Sequence, residues 1–277
     1  MNFFKSAITV ILKKPFIFVY AAIISFFIAL IGLFNPFSSL LKLYSNFITD
    51  SVTDTIVILS KEVYKIGVIP YAVLMIILFS VISGILAGII YSGYFNLVFK
   101  SIKKIKAFKK DFIEGIKKHF VRVSYVFFEF YLSFFAFLFV MPLVIVPSVV
   151  IAKKAVENGN SNFLNTGLLS LVTGFVLVFI TLLLLVNFVL RIPGIYYFDK
   201  KPIEKAKLVL TTRYWSVFGK VTLFVIALAM GEYLIFSLNM PVLEAILNFI
   251  FLSVYISLIS VYMFYEFSTV LETLKKN

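Results

Sequence analysis

The chain has 277 residues, 62% of them hydrophobic and only 14% charged, with a mean hydropathy of +1.06. An ordinary soluble domain is roughly half apolar and a quarter charged, so this composition excludes a water-soluble globular protein and points to lipid as the natural solvent. Cysteine is absent, which excludes disulfides, thiolate metal sites and a cysteine nucleophile; the formal net charge of +13 first asks where the positive side chains lie.

The opening stretch, "MNFFKSAITVILKK", has only a short apolar run before Lys13 and Lys14, and no small-residue cleavage site follows. It predicts an amphipathic interfacial helix over residues 2–13 rather than a cleavable signal. A crossing helix needs about 20 apolar residues. Six segments qualify, at approximately 15–35, 69–99, 121–152, 167–198, 221–240 and 243–270. Lipid offers no partners to an open backbone, so each is expected to be helical. Several exceed the bilayer thickness, and Pro142, Pro147 and the Pro193-Gly194 pair are the predicted bends.

Three connecting segments carry patterns of their own. Over 38–66, Leu40, Tyr44, Ile48, Val52 and Ile56 repeat every four residues, which predicts an outer amphipathic helix, a connector or a lid. Over 101–118, Ile102, Ile105, Phe108, Phe112 and Ile116 recur at three or four residues among lysines. That pattern predicts a basic amphipathic helix whose Lys103–Lys118 face meets anionic inner-leaflet lipid, each lysine contributing roughly 1 kcal/mol. The stretch contains no arginine and no recognition module, so nucleic acid is not the implied partner. Residues 153–166 read as a turn and 202–214 as a last interfacial helix.

Of the 26 Lys and Arg residues, 21 fall on one side of this topology, which places both termini in the cytoplasm. The sequence therefore predicts a single membrane domain over 1–277: an all-α polytopic bundle of six transmembrane helices. An internal echo accompanies it. Ala7, Asp111 and Ala206 each precede by nine residues an aromatic at the membrane boundary: Phe16, Phe120 and Trp215. Two places before each aromatic stands Lys14, Lys118 or Arg213. Three hairpin pseudo-repeats about an axis along the membrane normal would give this pattern, and so would positive-inside residues with interfacial aromatics alone.

Within the spans, Ser80, Gly84, Gly88 and Ser92 fall at steps of four, a small-residue stripe that lets another helix approach closely. The neighbour belongs to the same chain, to a second copy or to a partner membrane protein. Arg191 lies about 12 Å of helix rise from Asp199, at a depth that Glu129 and Glu266 reach from other spans. An arginine at the bilayer centre costs at least ~2.5 kcal/mol. The expectation is that Glu129, Glu266 or both hold Arg191, with Asn187 one turn deeper as a donor, unless the guanidinium snorkels to the headgroups. Glu232, nearer the middle of its span, has no evident cationic partner.

Catalytic groupings are sparse. The single histidine, His119, has no carboxylate at helical spacing; Ser83-Gly84 has no base nearby; and no metal-ligand cluster or phosphate loop occurs, so no cofactor is implied. The chain reads as a non-enzymatic lipid- or partner-binding bundle. The alternatives are a small transporter or channel component built on the Arg191 layer, and a lipid-active enzyme.

Two segments carry a family resemblance. "YSGYFNLVFKSIKKIKAFKKDFIEGIKKHFVRV" and "RIPGIYYFDKKPIEKAKLVLTTRYWSVFGKV" resemble a pattern in a loose group of bacterial membrane proteins related to the membrane domain of glycerophosphoryl diester phosphodiesterases. The likeness rests on Gly93, Phe112, Gly115, Pro193, Ala206 and Trp215. It implies an uncharacterised six-helix bundle of the bacterial cytoplasmic membrane. No soluble phosphodiesterase stretch lies within these residues, so the enzymatic activity is not carried over.

Overall fold

The computed structural model describes residues 2–33, 69–103, 105, 110–157, 163–199, 201–238 and 240–274. All regular structure among the described residues is helical. The elements are α1 (Asn2–Lys13), α2 (Pro15–Leu33), α3 (Ile69–Ile102), α4 (Lys110–Glu157), α5 (Phe163–Tyr197), α6 (Pro202–Thr212), α7 (Tyr214–Phe236) and α8 (Pro241–Leu274). Five stretches are long and apolar enough to cross a membrane: Pro70–Ile102, Lys110–Phe137, Val178–Tyr197, Tyr214–Ile235 and Val242–Thr273. α2, the first predicted crossing, contributes a shorter apolar helix over Pro15–Phe26. These helices mark a multi-pass membrane protein. Their surface agrees: Val73, Leu74, Ile77, Leu78, Phe79, Val81 and Ile82 on α3 are all exposed, a patch tolerable only against lipid or another apolar partner.

The predicted helix over 101–118 is corrected. α3 continues to Ile102, and α4 starts at Lys110 and runs unbroken through Val121. The stretch from Lys110 onward contains no proline and one glycine, Gly115, so nothing stops the helix before the apolar run. α4 also extends to Glu157, so the predicted turn begins later than residue 153. The backbone stays helical through Pro142, Pro147 and Pro193. The predicted helix over 38–66 lies outside the described residues.

The chain divides into two compact units, one of residues 1–34, 84–127 and 185–277, the other of residues 35–83 and 128–184. In the first, α8 packs on α2, α7, α1 and α6. The buried face of α2 is Ile17, Ala21, Ile24 and Ser25; that of α8 includes Ser253, Ile256, Ser257, Ser260, Val261 and Phe264. Helices in lipid gain little from excluding water and associate through close packing, which small side chains permit. Ser25 donates to the Ala21 carbonyl at 2.9 Å, Ser253 to Phe249 at 2.6 Å and Ser257 to Ser253 at 2.8 Å. Each hydroxyl proton is thus used within its own helix, so these serines can be buried without an unsatisfied donor.

α3, α5 and α8 meet through rings. Phe95 lies 5.9 Å from Phe264, Tyr196 5.4 Å from Phe264, Phe99 5.9 Å from Tyr196 and Tyr197 5.3 Å from Phe267, centroid to centroid. Such offset contacts favour fixed helix positions. In the second unit Phe130 stacks on Phe134 at 6.1 Å, and Phe175 on Phe179 at 6.3 Å.

Candidate functional site

The predicted small-residue stripe is buried at all four positions, Ser80, Gly84, Gly88 and Ser92. Ser80 belongs to the second unit and donates to the Ile76 carbonyl at 2.6 Å. In the first unit the stripe meets α4. A Cβ on Gly88 would collide with Ser124, and one on Gly93 would lie 2.7 Å from the Phe112 ring. A Cβ on Gly115 would lie 2.5 Å from Cβ of Asn96 and 2.7 Å from the Ser92 carbonyl oxygen. At Gly88 and Ser92 the neighbour is therefore within the chain. Polar ties close the same crossing: Asn96 donates to the Asp111 carbonyl at 2.7 Å, and Lys100 reaches the Asp111 and Glu114 carboxylates at 3.0 and 2.8 Å. Tyr196 of α5 donates to the Ser92 carbonyl at 2.8 Å. His119, buried here, packs its ring 4.4 Å from that of Tyr196.

In the charged layer Glu266 takes a cation from α7. Glu266, only 5% exposed, is paired at 2.8 Å with Lys220 of α7 and not with Arg191. Lys220 lies about two turns inside the start of α7 and Glu266 about two turns inside the end of α8. Adjacent helices thus bring the two to one level. Arg191 and Asn187 are half-buried on α5 in the first unit, and Glu129 is half-buried on α4 in the second; all three are engaged in interactions. Glu232 does have a partner, though not a cation: Asn248 of α8 donates to its carboxylate at 3.2 Å.

Between α7 and α8 lies an apolar groove of about 220 Å³, lined on α7 by Lys220, Leu223, Phe224 and Ala227, and on α8 by residues from Phe251 to Tyr262. Both sets follow the i, i+3, i+4, i+7 spacing of a helix face, so two stripes confront each other without closing. At one end Gly231 receives the Phe251 ring, where a Cβ would collide; at the other stands the Lys220–Glu266 pair. Tyr255 donates to the Phe224 carbonyl at 3.2 Å and spans the gap. Sequence reading missed this groove. Its signal was the short side chain of Ala227 on a face otherwise of large residues.

The helix breaks bear on the internal echo. α1 gives way to α2 at Lys14, and α6 to α7 at Arg213, the matching positions of the first and third approaches to the membrane. At the second approach Lys118 lies inside α4 with no break. Among the described residues no group of three or more His, Asp or Glu side chains is placed to hold a metal. In comparisons with known proteins no family model matches the chain, and neither a curated protein nor a solved structure does.

Proposed function

We propose that the protein is a lipid-binding helix bundle of the cell membrane, crossing six times with both termini on the lysine-rich cytoplasmic side. The observation that carries this reading is the α7–α8 groove. Pockets for compact ligands usually hold ~300–1,000 Å³, and about 220 Å³ of apolar space suits a segment of one acyl chain better. The cation at its mouth is already neutralised by Glu266, so the groove recognises hydrocarbon rather than a phosphate. The breaks at Lys14 and Arg213 support relating the first and third hairpins. The likeness to the phosphodiesterase membrane domain, and inner-leaflet contact by the exposed Lys110, Lys117 and Lys118, belong to the same reading.

The test is native mass spectrometry of the purified full chain during stepwise delipidation. The wild type is expected to retain phospholipid, and Ala227→Phe, which fills the groove, to lose it while melting like the wild type. Equal retention by both would overturn the groove reading. Reporter fusions at both termini should read out on the cytoplasmic side, and opposite faces would overturn the six-span topology.

A further inference from the structure

A second cavity, of about 770 Å³, opens between α1, the end of α3 and the end of α8. It lies where two membrane-crossing stretches stop, at Ile102 and Thr273, which puts it at the boundary between hydrocarbon and water. Lys13 and Lys14 line it from the α1–α2 break, and Glu272 lines it from α8. Among the described residues none of these three forms an ion pair, although they share one cleft. The cleft therefore holds uncompensated charge of both signs.

Two of its five hydroxyls sharpen this. Ser101 donates its proton to the Leu97 carbonyl at 2.7 Å, and Thr269 donates to the Tyr265 carbonyl at 3.0 Å. With their protons committed to their own helices, both present lone pairs, which accept but do not donate. The α1 edge thus offers ammonium donors, whereas Ser101, Thr269 and Glu272 on the α3 and α8 edges offer two hydroxyl acceptors and a carboxylate, beside the further hydroxyls of Tyr265 and Ser268. A simple anion would satisfy only the first. A quaternary ammonium carries no N–H for the second.

We propose that this cleft binds a phosphodiester headgroup bearing a primary amine, the phosphoethanolamine end of a membrane lipid. The phosphate sits against Lys13 and Lys14, and the ammonium against Glu272, Thr269 and Ser101. The proposal rests on the lipid-binding reading of the bundle and adds the headgroup that the neutral α7–α8 groove does not select. The cleft is large enough for a headgroup with its glycerol, and its level leaves the acyl chains in the hydrocarbon.

The experiment is a competition by native mass spectrometry on the full chain, with dioleoyl lipids carrying ethanolamine, glycerol or choline headgroups, and with free phosphoethanolamine. The wild type should prefer the ethanolamine lipid by about tenfold, the worth of one charge-assisted contact. Glu272→Gln, at an exposed position, should bring the ethanolamine lipid down to the level of the glycerol lipid without weakening the latter. Lys13→Ala with Lys14→Ala should weaken both. An unchanged preference in Glu272→Gln would overturn the amine assignment, and displacement by free phosphoethanolamine at equal concentration would overturn the lipid source. Ala227→Phe separates the two readings: bulk lipid should fall while the ethanolamine preference of the lipid that remains is intact; unchanged bulk lipid with the preference intact would overturn the groove and leave the cleft, and loss of the preference in this variant would overturn the cleft.

Discussion

The α3–α4 crossing and the α7–α8 hairpin are both antechambers of apolar spans, yet they solve contact in opposite ways. At the first, glycines remove side chains from the interface, and the backbone of Ser92 comes within reach of any Cβ placed on Gly115. Two carboxylates and an amide then lock the ends, through Lys100 and Asn96. At the second, the helices touch at Gly231 and Phe251, pair at Lys220 and Glu266, and between those ends leave an apolar groove bridged from Tyr255 to Phe224. In lipid, where apolar side chains are as content facing hydrocarbon as each other, a gap of this kind is cheap to keep if its ends are pinned. The difference teaches that one crossing fixes the frame while the other leaves room for a guest.

The sharpest way to break that contrast is Gly115→Leu. The neighbours that would have to yield include backbone at Ser92 and Gly93, not the flexible end of a side chain. A loss at or above about 3 kcal/mol, the top of the usual overpacking range, is expected. Thermal denaturation in detergent measures it, and a variant that melts like the wild type would remove the closed-frame account.

Lys220→Met comes next and probes the pinned end of the hairpin. It leaves the buried Glu266 carboxylate without its cation, for which fully buried pairs lose ~3–5 kcal/mol. Lys220 is 42% exposed, so solvent already screens part of the pair and a loss of about 2 kcal/mol is expected. The double variant Lys220→Met with Glu266→Gln should recover most of it, because the uncompensated charge is gone. No recovery would mean that the lysine contributes through packing on the groove instead.

Tyr196→Phe is smaller. It deletes the hydroxyl that donates to Ser92 and keeps the ring against His119 and Phe264, so about 1 kcal/mol is expected. If the tie of α5 to the glycine crossing is real, combining Tyr196→Phe with Asn96→Ala should cost more than the two separately, since both hold the same few residues of α3.

Much of this frame was readable in the residues. The six apolar runs announced their helices, because length and hydropathy are local properties, and the stripe through Gly88 was visible as a four-residue period. The partners were harder. Depth alone offered Glu266 as well as Glu129 to Arg191, while Lys220, at the matching level of the adjacent helix, was counted with the boundary lysines. Glu232 was searched for cations, and its partner is the amide of Asn248. The helix over 101–118 was drawn as a separate element, whereas its 110–118 part is the start of α4, because periodicity does not mark a boundary when the apolar repeat continues into the next run. The cleft at Lys13, Lys14 and Glu272 joins residues more than 250 positions apart, which no local pattern connects.

Gly219→Ala closes the series from the mild side. Gly219 sits on α7 one residue before Lys220, and a Cβ there meets nothing within 4 Å. With no neighbour to displace, the substitution acts only on backbone freedom, and alanine is favoured over glycine in a helix by up to about 1 kcal/mol. A melting temperature equal to or slightly above the wild type is expected, in opposition to Gly115→Leu. Lipid retention should also persist, since Gly219 does not line the groove. Destabilisation here would show that α7 must bend beside Lys220 to hold the hairpin open, and the gap would then owe its existence to backbone compliance rather than to the short side chain of Ala227.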